Sequence, residues 1–379
     1  MAEAPFDRSL DGRTTLLDRA LDSPGPRTVD LGHFLVVLEG ADAGRVIEVT
    51  EKPVSIGRVA PCDVVFPDQE VSRKHCSVAL AGGVLKVCDH GSTNGCFIDG
   101  QALVGEAELP VGGILQIGRE LLKHELRSRR EVHAKAELDR DLDRAARYVM
   151  SLLPARISAG PIRADWIYLP SARLGGDVFG YHEIDEAHFA VYLVDVSGHG
   201  AESAMHAVGI MNVLRGRAMP GVDFGAPADV IARLNQMFPM EEHASMFFTV
   251  WYGVFDRQRR RLDYCSAGHH PSYLMTAERD RLLPLRTPNV PAGVMQDVDF
   301  LADSTEVPAG ATLYVFSDGV FEVLVKAGRR WELEDFVALI PLPPDAQQGE
   351  PQRLYRLVRA AALEPRFEDD FSLLTLAFD

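Results

Sequence analysis

The chain has 379 residues, 55 of them acidic and 39 basic, giving a formal net charge of −16. That length suggests two or three domains, each large enough for its own core. The acidic balance argues against nucleic acid as a partner, because phosphate backbones recruit dense Lys/Arg faces. The 46% hydrophobic and 25% charged fractions are those of ordinary folded protein. No apolar run approaches the roughly 18 residues of a membrane span, and Met1–Leu10 lacks the basic and apolar regions of a secretory signal. Neither nucleic acid nor membrane is expected as a partner, and the cytoplasm is the expected location.

Residues 1–30 are rich in Asp, Arg, Pro and Gly without a sustained apolar period, and read as a mobile tail. From 31 to 126 the texture changes to short alternating strands separated by Gly, Pro and Asp. HFLVVLEG, RVIEVT, VSIGR, CDVVF, CSVAL, VLKVCD, CFIDG and ILQIG are examples. Many short strands with turn residues between them predict an all-β sandwich or barrel. Four of the five cysteines fall here, at Cys62, Cys76, Cys88 and Cys96, with Cys265 far downstream. There is no CxxC pair, and the spacings of 14, 12 and 8 are unlike a structural zinc site. Small half-buried strand residues are the better reading.

Within this segment lie Gly57-Arg58, then Ser72-Arg73-Lys74-His75, then GSTNGCFIDG from Gly91 to Gly100. Arg58 offers a planar, multi-donor fork suited to phosphate. Ser72, Thr93 and Asn94 flank turns, where short side chains and backbone N–H groups can converge on one anion. Over about 95 residues the stretch resembles a forkhead-associated (FHA) domain. The resemblance implies a β-sandwich that binds phosphothreonine peptides through its loops. It places Arg58, Ser72 and Thr93 on the phosphate, Arg73 at the pocket edge and Asn94 on the peptide backbone. Gly57 and His75 would shape the loops. The implied partner is a phosphothreonine-containing protein, such as a Ser/Thr kinase.

Residues 127–154 carry no Gly and no Pro before Pro154. Leu138, Leu142, Ala145, Val149 and Leu152 recur at helical spacing between charges. The spacing predicts a linker helix of ~40 Å, at about 1.5 Å per residue. Its apolar stripe needs a cover: either a neighbouring domain, or a second chain in a parallel coiled coil that would make a homodimer.

The remainder, 155–379, mixes strands (HFAVYLVDV, SMFFTVWYGVFD, RLDYCSAG, ATLYVFSDG, DFSLLTLAF) with helices at 201–217, 227–237, 333–339 and 351–363. A layered α/β arrangement around antiparallel sheets is expected. Four acidic motifs close apolar strands: RLGGDVFG with Asp177, YLVDVSGHG with Asp195, YVFSDG with Asp318, and FEDDFSLL with Asp369 and Asp370. Carboxylates gathered out of water are costly unless cations neutralise them. Hard divalent ions prefer such oxygens, and two of them about 3.5–4 Å apart can activate water against a phosphoryl group.

These motifs, with SLLP at the helix end and SAGHHP, resemble the metal-dependent protein phosphatases (the PPM family), in the SpoIIE-like bacterial branch. The resemblance implies an α-β-β-α layered domain that hydrolyses phosphoserine or phosphothreonine with two or more Mn²⁺ or Mg²⁺ ions. Asp195, Asp318 and Asp369 would ligate the metals as the catalytic centre, joined by the backbone carbonyl of Val196. Asp177 would be a further acidic position at the first metal, and Asp370 would support the ligands. Here Val178-Phe179-Gly180 follows the GGD, where relatives often carry two aromatics and an Asp. Arg173, four residues before Asp177, is a candidate for binding substrate phosphate. His199 and His269 sit in Gly-flanked turns, as proton-transfer groups or as hydrogen-bonded turn residues.

The whole chain is thus expected to be multidomain: an FHA sandwich, a helical linker and a PPM-type phosphatase. Its expected function is the dephosphorylation of a signalling protein, such as an anti-sigma-factor antagonist with a STAS fold, under the control of phosphothreonine. The competing reading is a phospho-dependent scaffold whose phosphatase-like domain has lost turnover. A two-metal nuclease conflicts with the acidic balance.

Overall fold

A computed structural model describes residues 30–40, 42–345 and 347–379. The expected tail at 1–30 lies, apart from Asp30, outside these described residues. The chain divides into two compact units, the first ending at Asp139 and the second beginning at Arg140.

In the first unit, alternation of apolar and polar residues builds two facing sheets. One is six-stranded, in the order Val46–Val49, Leu31–Val37, Glu120–Ser128, Ile114–Ile117, Cys96–Ile98, Gln101–Ala102. The other is five-stranded, in the order Val64–Val65, Val54–Gly57, Cys76–Ala81, Val84–Asp89, Glu106–Leu109. In VLKVCD, Leu85 and Val87 enter the core, while Lys86 faces out and pairs with Glu106. Leu35, Ile56, Val78, Leu115 and Leu122 complete that core, together with Cys76 and Cys96. The nine-residue strand Glu120–Ser128, central to the larger sheet, was not among the strands singled out from the sequence.

Strand Glu120–Ser128 runs directly into the helix Arg129–Leu152, slightly shorter than the expected 127–154. The Ser128 hydroxyl accepts a hydrogen bond from the Glu131 N–H at the helix start. Arg129 pairs with Glu48 at 2.7 Å and with Asp30 at 2.9 Å, fastening the first turn to the sandwich. The apolar stripe of its second half, Leu142, Ala145 and Val149, packs with Leu174, Ala204 and Val208 of the second unit. With Leu152 packed on the neighbouring core of that unit, four of the five predicted stripe residues are covered; Leu138 stays exposed, as does Tyr148 outside the stripe.

The second unit contains two antiparallel five-stranded sheets. One runs Ile162–Leu169, Phe371–Phe378, Ala311–Phe316, Ser272–Met275, Leu282–Leu285; the other runs Asp177–Glu183, His188–Val196, Phe248–Asp256, Arg261–Ala267, Asp303–Glu306. The run HFAVYLVDV is apolar at nearly every position because both its faces are buried. Phe189, Val191 and Leu193 meet Leu313, Val315, Leu374 and Leu376 between the sheets. Ala190, Tyr192, Val194 and Val196 pack instead with Ile210, Leu214, Val230 and Leu234, from helices Ala201–Arg215 and Pro227–Met237. On the far side, Phe316, Phe371 and Leu373 are covered by Phe336, Leu354 and Val358, from helices Leu333–Val337 and Glu350–Ala361. The layers are therefore α-β-β-α, as the motifs implied.

Candidate functional sites

The β-sandwich carries a surface pocket of about 890 Å³ whose lining includes Arg58, Ser72, Arg73, Thr93 and Asn94. These five residues come from three separate loops, brought to one place by the sheets beneath them. Ser72 joins two of these loops: its hydroxyl accepts the Thr93 N–H at 3.0 Å and donates to the Thr93 hydroxyl at 3.3 Å. The Asn94 side-chain amide donates to the Glu70 carbonyl at 2.8 Å, tying its turn to the loop before Ser72.

Below them, the buried His75 imidazole accepts the Ser72 N–H through Nδ1 at 3.0 Å. Nε2 therefore carries the proton and donates to the Gly95 carbonyl at 3.1 Å. At Gly57 a side chain would collide with the Arg73 carbonyl oxygen, which is why only glycine fits beside Arg58. Among the described residues no side-chain partner engages the Arg58 guanidinium. Three loops are thus held rigid while a cationic fork stays available to an anion.

In the second unit the carboxylates gather at one end of the gap between the sheets. Asp177 and Asp195 are direct cross-strand partners, Asp177 opposite Asp195 in the antiparallel pairing. By the two-residue alternation of a strand, they share the face that carries Phe179 and Leu193 into the inter-sheet core. Like charges placed opposite one another in a sheet destabilise it. The facing sheet contributes Ser317 and Ser372, and the Ser372 hydroxyl donates to Asp177 Oδ2 at 2.6 Å. Burial, with the charges of Asp195 and Asp370, pushes the Asp177 carboxyl far above the ordinary carboxylate range. Burial, with Asp318, Asp369, Asp370 and Glu322, does the same to Asp195. Asp318 is held at about 6 by burial and by Asp369 and Glu322. Asp369 is raised by burial and by Asp370, while His199 acts in the opposite sense.

Among the described residues, no three His, Cys, Asp or Glu side chains close on one point tightly enough to hold an ion as they stand. The arrangement is a field of neighbouring carboxylates: among the described residues, no lysine or arginine figures among the charges acting on Asp177, Asp195, Asp318 or Asp369, although Arg330 lies beside Glu322. That donor chemistry fits divalent cations: hard oxygen ligands whose charged forms are destabilised until positive charge arrives. The Val196 carbonyl oxygen faces Gly176, where an added Cβ would stand 3.0 Å from it.

Several supporting contacts take their form only in the structure, where Asp370 has the supporting role expected of it. Asp370 is buried, and it accepts the Ser171 N–H at 2.7 Å, the Ser171 hydroxyl at 2.9 Å and the Asp177 N–H at 3.3 Å. It thereby holds both ends of the loop 171–177, whose Gly175 has no room for a side chain beside Asp370 and the Tyr168 hydroxyl. Ser372, which the sequence reading missed, lies two residues beyond Asp370, so alternation along FEDDFSLL was the signal that could have found it. Glu322 had no such signal, because it reaches the cluster from the turn after Asp318. Arg173 does not lie free for a phosphate: its guanidinium pairs with Asp143 of the linker helix at 2.7 Å. His269 is buried and bonds the His270 carbonyl through Nδ1 at 2.7 Å, whereas His199 is exposed near Asp369.

The Ser317–Val320 turn approaches the chain at Asp369 and Asp370 so closely that a Cβ on Gly319 would collide with the Asp370 carbonyl oxygen. Gly319→Ala should therefore destabilise the protein by about 1–3 kcal/mol through overpacking. Thermal unfolding in chelator reads this directly, and an unchanged melting temperature would contradict the close approach.

The fold is a β-sandwich with a cationic surface pocket, followed by an α-β-β-α domain with a cluster of carboxylates between its sheets. Residues 54–118 match the FHA domain, and residues 185–379 match the stage II sporulation protein E (SpoIIE) family. The second match spans more than half of the chain, and the protein belongs to the SpoIIE family. It is 28% identical over 192 residues to phosphoserine phosphatase RsbP of Bacillus subtilis, covering 50% of this chain and 47% of RsbP. It is 34% identical over 91 residues to the FHA domain-containing protein FhaB of Mycobacterium tuberculosis, covering 24% of this chain and 59% of FhaB. The chain thus spans about half the length of these curated relatives. The SiaA-PP2C domain of Pseudomonas aeruginosa superposes with a TM-score of 0.56 at 20% identity, over 65% of this chain and 99% of that domain, which shows a shared fold. No helix among the described residues is long and apolar enough to cross a membrane.

Proposed function

We propose that the protein is a metal-dependent serine/threonine phosphoprotein phosphatase whose FHA domain recruits or regulates it through phosphothreonine. The observation that carries this reading is the pairing of Asp177 with Asp195 on adjacent strands, beside Asp318 and Asp369, with no lysine or arginine among the described residues acting on these four carboxylates. In this reading Asp195, Asp318 and Asp369 hold Mn²⁺ or Mg²⁺ with the Val196 carbonyl, and Asp177 adds a further carboxylate. Bound ions would supply the positive charge that a phosphoryl group and an attacking water both need.

The chain itself does the rest. In this reading Ser372 orients Asp177, Asp370 fixes the loop 171–177, and His199, an exposed imidazole whose charge acts on Asp369, would exchange a proton at the site's exposed side. Phosphoserine phosphatase RsbP is a relative over this domain. It supports phosphoserine or phosphothreonine on a signalling protein as substrate, with a phosphorylated STAS-fold anti-sigma-factor antagonist as the class to test first. The FHA pocket would take a phosphothreonine partner such as a Ser/Thr kinase, and the exposed Leu138 and Tyr148 leave the linker helix able to pair in a homodimer.

The full chain should hydrolyse p-nitrophenyl phosphate and a phosphoserine peptide with Mn²⁺, and lose that activity in chelator. An inert wild-type protein, with metal and phosphoprotein both present, would replace this reading with the phospho-dependent scaffold.

A further inference from the structure

The motif SAGHHP contains a second histidine that the site described above does not use. His270 lies in the segment Gly268–Ser272, ahead of the strand Ser272–Met275. Its Nδ1 sits 3.0 Å from the Pro271 carbonyl, while its Nε2 is buried near the Phe316 backbone and makes no well-formed hydrogen bond among the described residues. A buried imidazole nitrogen left unpaired is unfavourable, so the ring's place must be justified by its packing. That packing is aromatic. The His270 ring stacks on Phe316 with centroids 4.6 Å apart at 30°, and meets Phe321 edge-on at 5.2 Å and 83°.

Phe316 and Phe321 bracket the turn Ser317–Val320, which carries Asp318. Phe316 ends the strand Ala311–Phe316, and the Phe321 N–H closes the turn on the Asp318 carbonyl at 2.8 Å. Phe316 is further anchored by Phe336, at 4.7 Å. One wall of the turn is the backbone of Asp369 and Asp370 against Gly319. The imidazole joins the two residues on either side of the turn and so supplies a second restraint.

We propose that His270 is a positioning residue for Asp318: its ring, held between Phe316 and Phe321, fixes the turn that presents this carboxylate to a divalent cation. The inference rests on the reading of Asp318 as a metal ligand. It concerns the flat ring and its contacts, not a proton on it.

The test measures Mn²⁺ binding to the full chain by calorimetry, alongside the kcat and KM of phosphoserine-peptide hydrolysis. His270→Ala should weaken Mn²⁺ binding about tenfold, the range in which residues behind a ligand act. The KM for peptide should stay unchanged, and saturating Mn²⁺ should restore most of kcat. His270→Phe, which keeps a flat ring but no nitrogen, should bind Mn²⁺ within about twofold of wild type, as expected when packing and not a hydrogen bond is at work.

Wild-type Mn²⁺ affinity in a folded His270→Ala would overturn the proposal, and so would equal losses in the Ala and Phe variants. Should His270→Ala not fold, Phe321→Leu removes the edge contact from the other partner. It should weaken Mn²⁺ binding similarly, and wild-type affinity there would overturn the proposal. Asp318→Asn separates the two readings: if it binds Mn²⁺ like wild type, the ligand assignment fails, whatever His270 does.

Discussion

Asp318→Asn should abolish Mn²⁺-dependent phosphatase activity, lowering it more than about a hundredfold, and yet make the metal-free protein more stable. Both expectations have one cause. The Asp318 carboxyl is held at about 6 instead of its ordinary 3.8, by burial and by the charges of Asp369 and Glu322. Keeping it ionised in the folded, metal-free state costs on the order of 3 kcal/mol. The sign follows from linkage. A carboxyl raised on folding contributes stability below its unfolded value, and that contribution is lost as pH rises through the folded one.

In chelator, the melting temperature of Asp318→Asn should therefore exceed that of wild type by a margin that widens between about pH 4 and pH 7. Adding Mn²⁺ should stabilise the wild type and leave the variant nearly unmoved. Asp195→Ala should likewise lose activity, since Asp195 faces Asp177 and feels Asp318 and Asp369. A pH-independent gap would remove the electrostatic account of the cluster, and activity retained in both variants would remove the metal-site assignment. Sites that store unfavourable charge until a ligand arrives commonly trade stability for function in this way.

Arg58→Ala should weaken binding of a phosphothreonine peptide about a hundredfold, or about 3 kcal/mol, the loss expected for a two-pronged charge-assisted contact. Binding of the unphosphorylated peptide should not change. Because no partner among the described residues engages the guanidinium, folding stability should stay within about 0.5 kcal/mol of wild type. The contrast with His75 is instructive. His75 is buried and bonds both the Ser72 N–H and the Gly95 carbonyl, so its loss should impair folding and binding together. Calorimetry with the paired peptides, beside thermal melts, distinguishes the two. Equal weakening of both peptides by Arg58→Ala would contradict a phosphate contact.

Much of this architecture was legible in one dimension. Strands of the first unit announce themselves by alternation, as in VLKVCD, and those of the second by continuous apolar runs, as in HFAVYLVDV, because one or both faces are buried. Pro227 and Met237 bound a helix where the sequence placed one. The positions of Arg58, Ser72, Arg73, Thr93 and Asn94 beside turns were readable, as was the placing of Asp177, Asp195, Asp318 and Asp369 at strand ends. These are local properties, carried by residue type and by periods of two or 3.6.

The contacts that make the acidic site were not local. Asp177 opposes Asp195 through sheet register, Ser372 reaches Asp177 across 195 positions of sequence, and Asp370 holds Ser171 across 199. Arg173 looked available until the fold set Asp143 beside it. Periodicity states which face a side chain occupies but not what stands opposite. The fields that raise these carboxylates depend on distance through space. The acidic excess of the chain is a property of its composition. That a few of those charges crowd one buried edge, where in the proposed reading cations would neutralise them, is decided by tertiary packing, because only packing removes the water that would otherwise screen them.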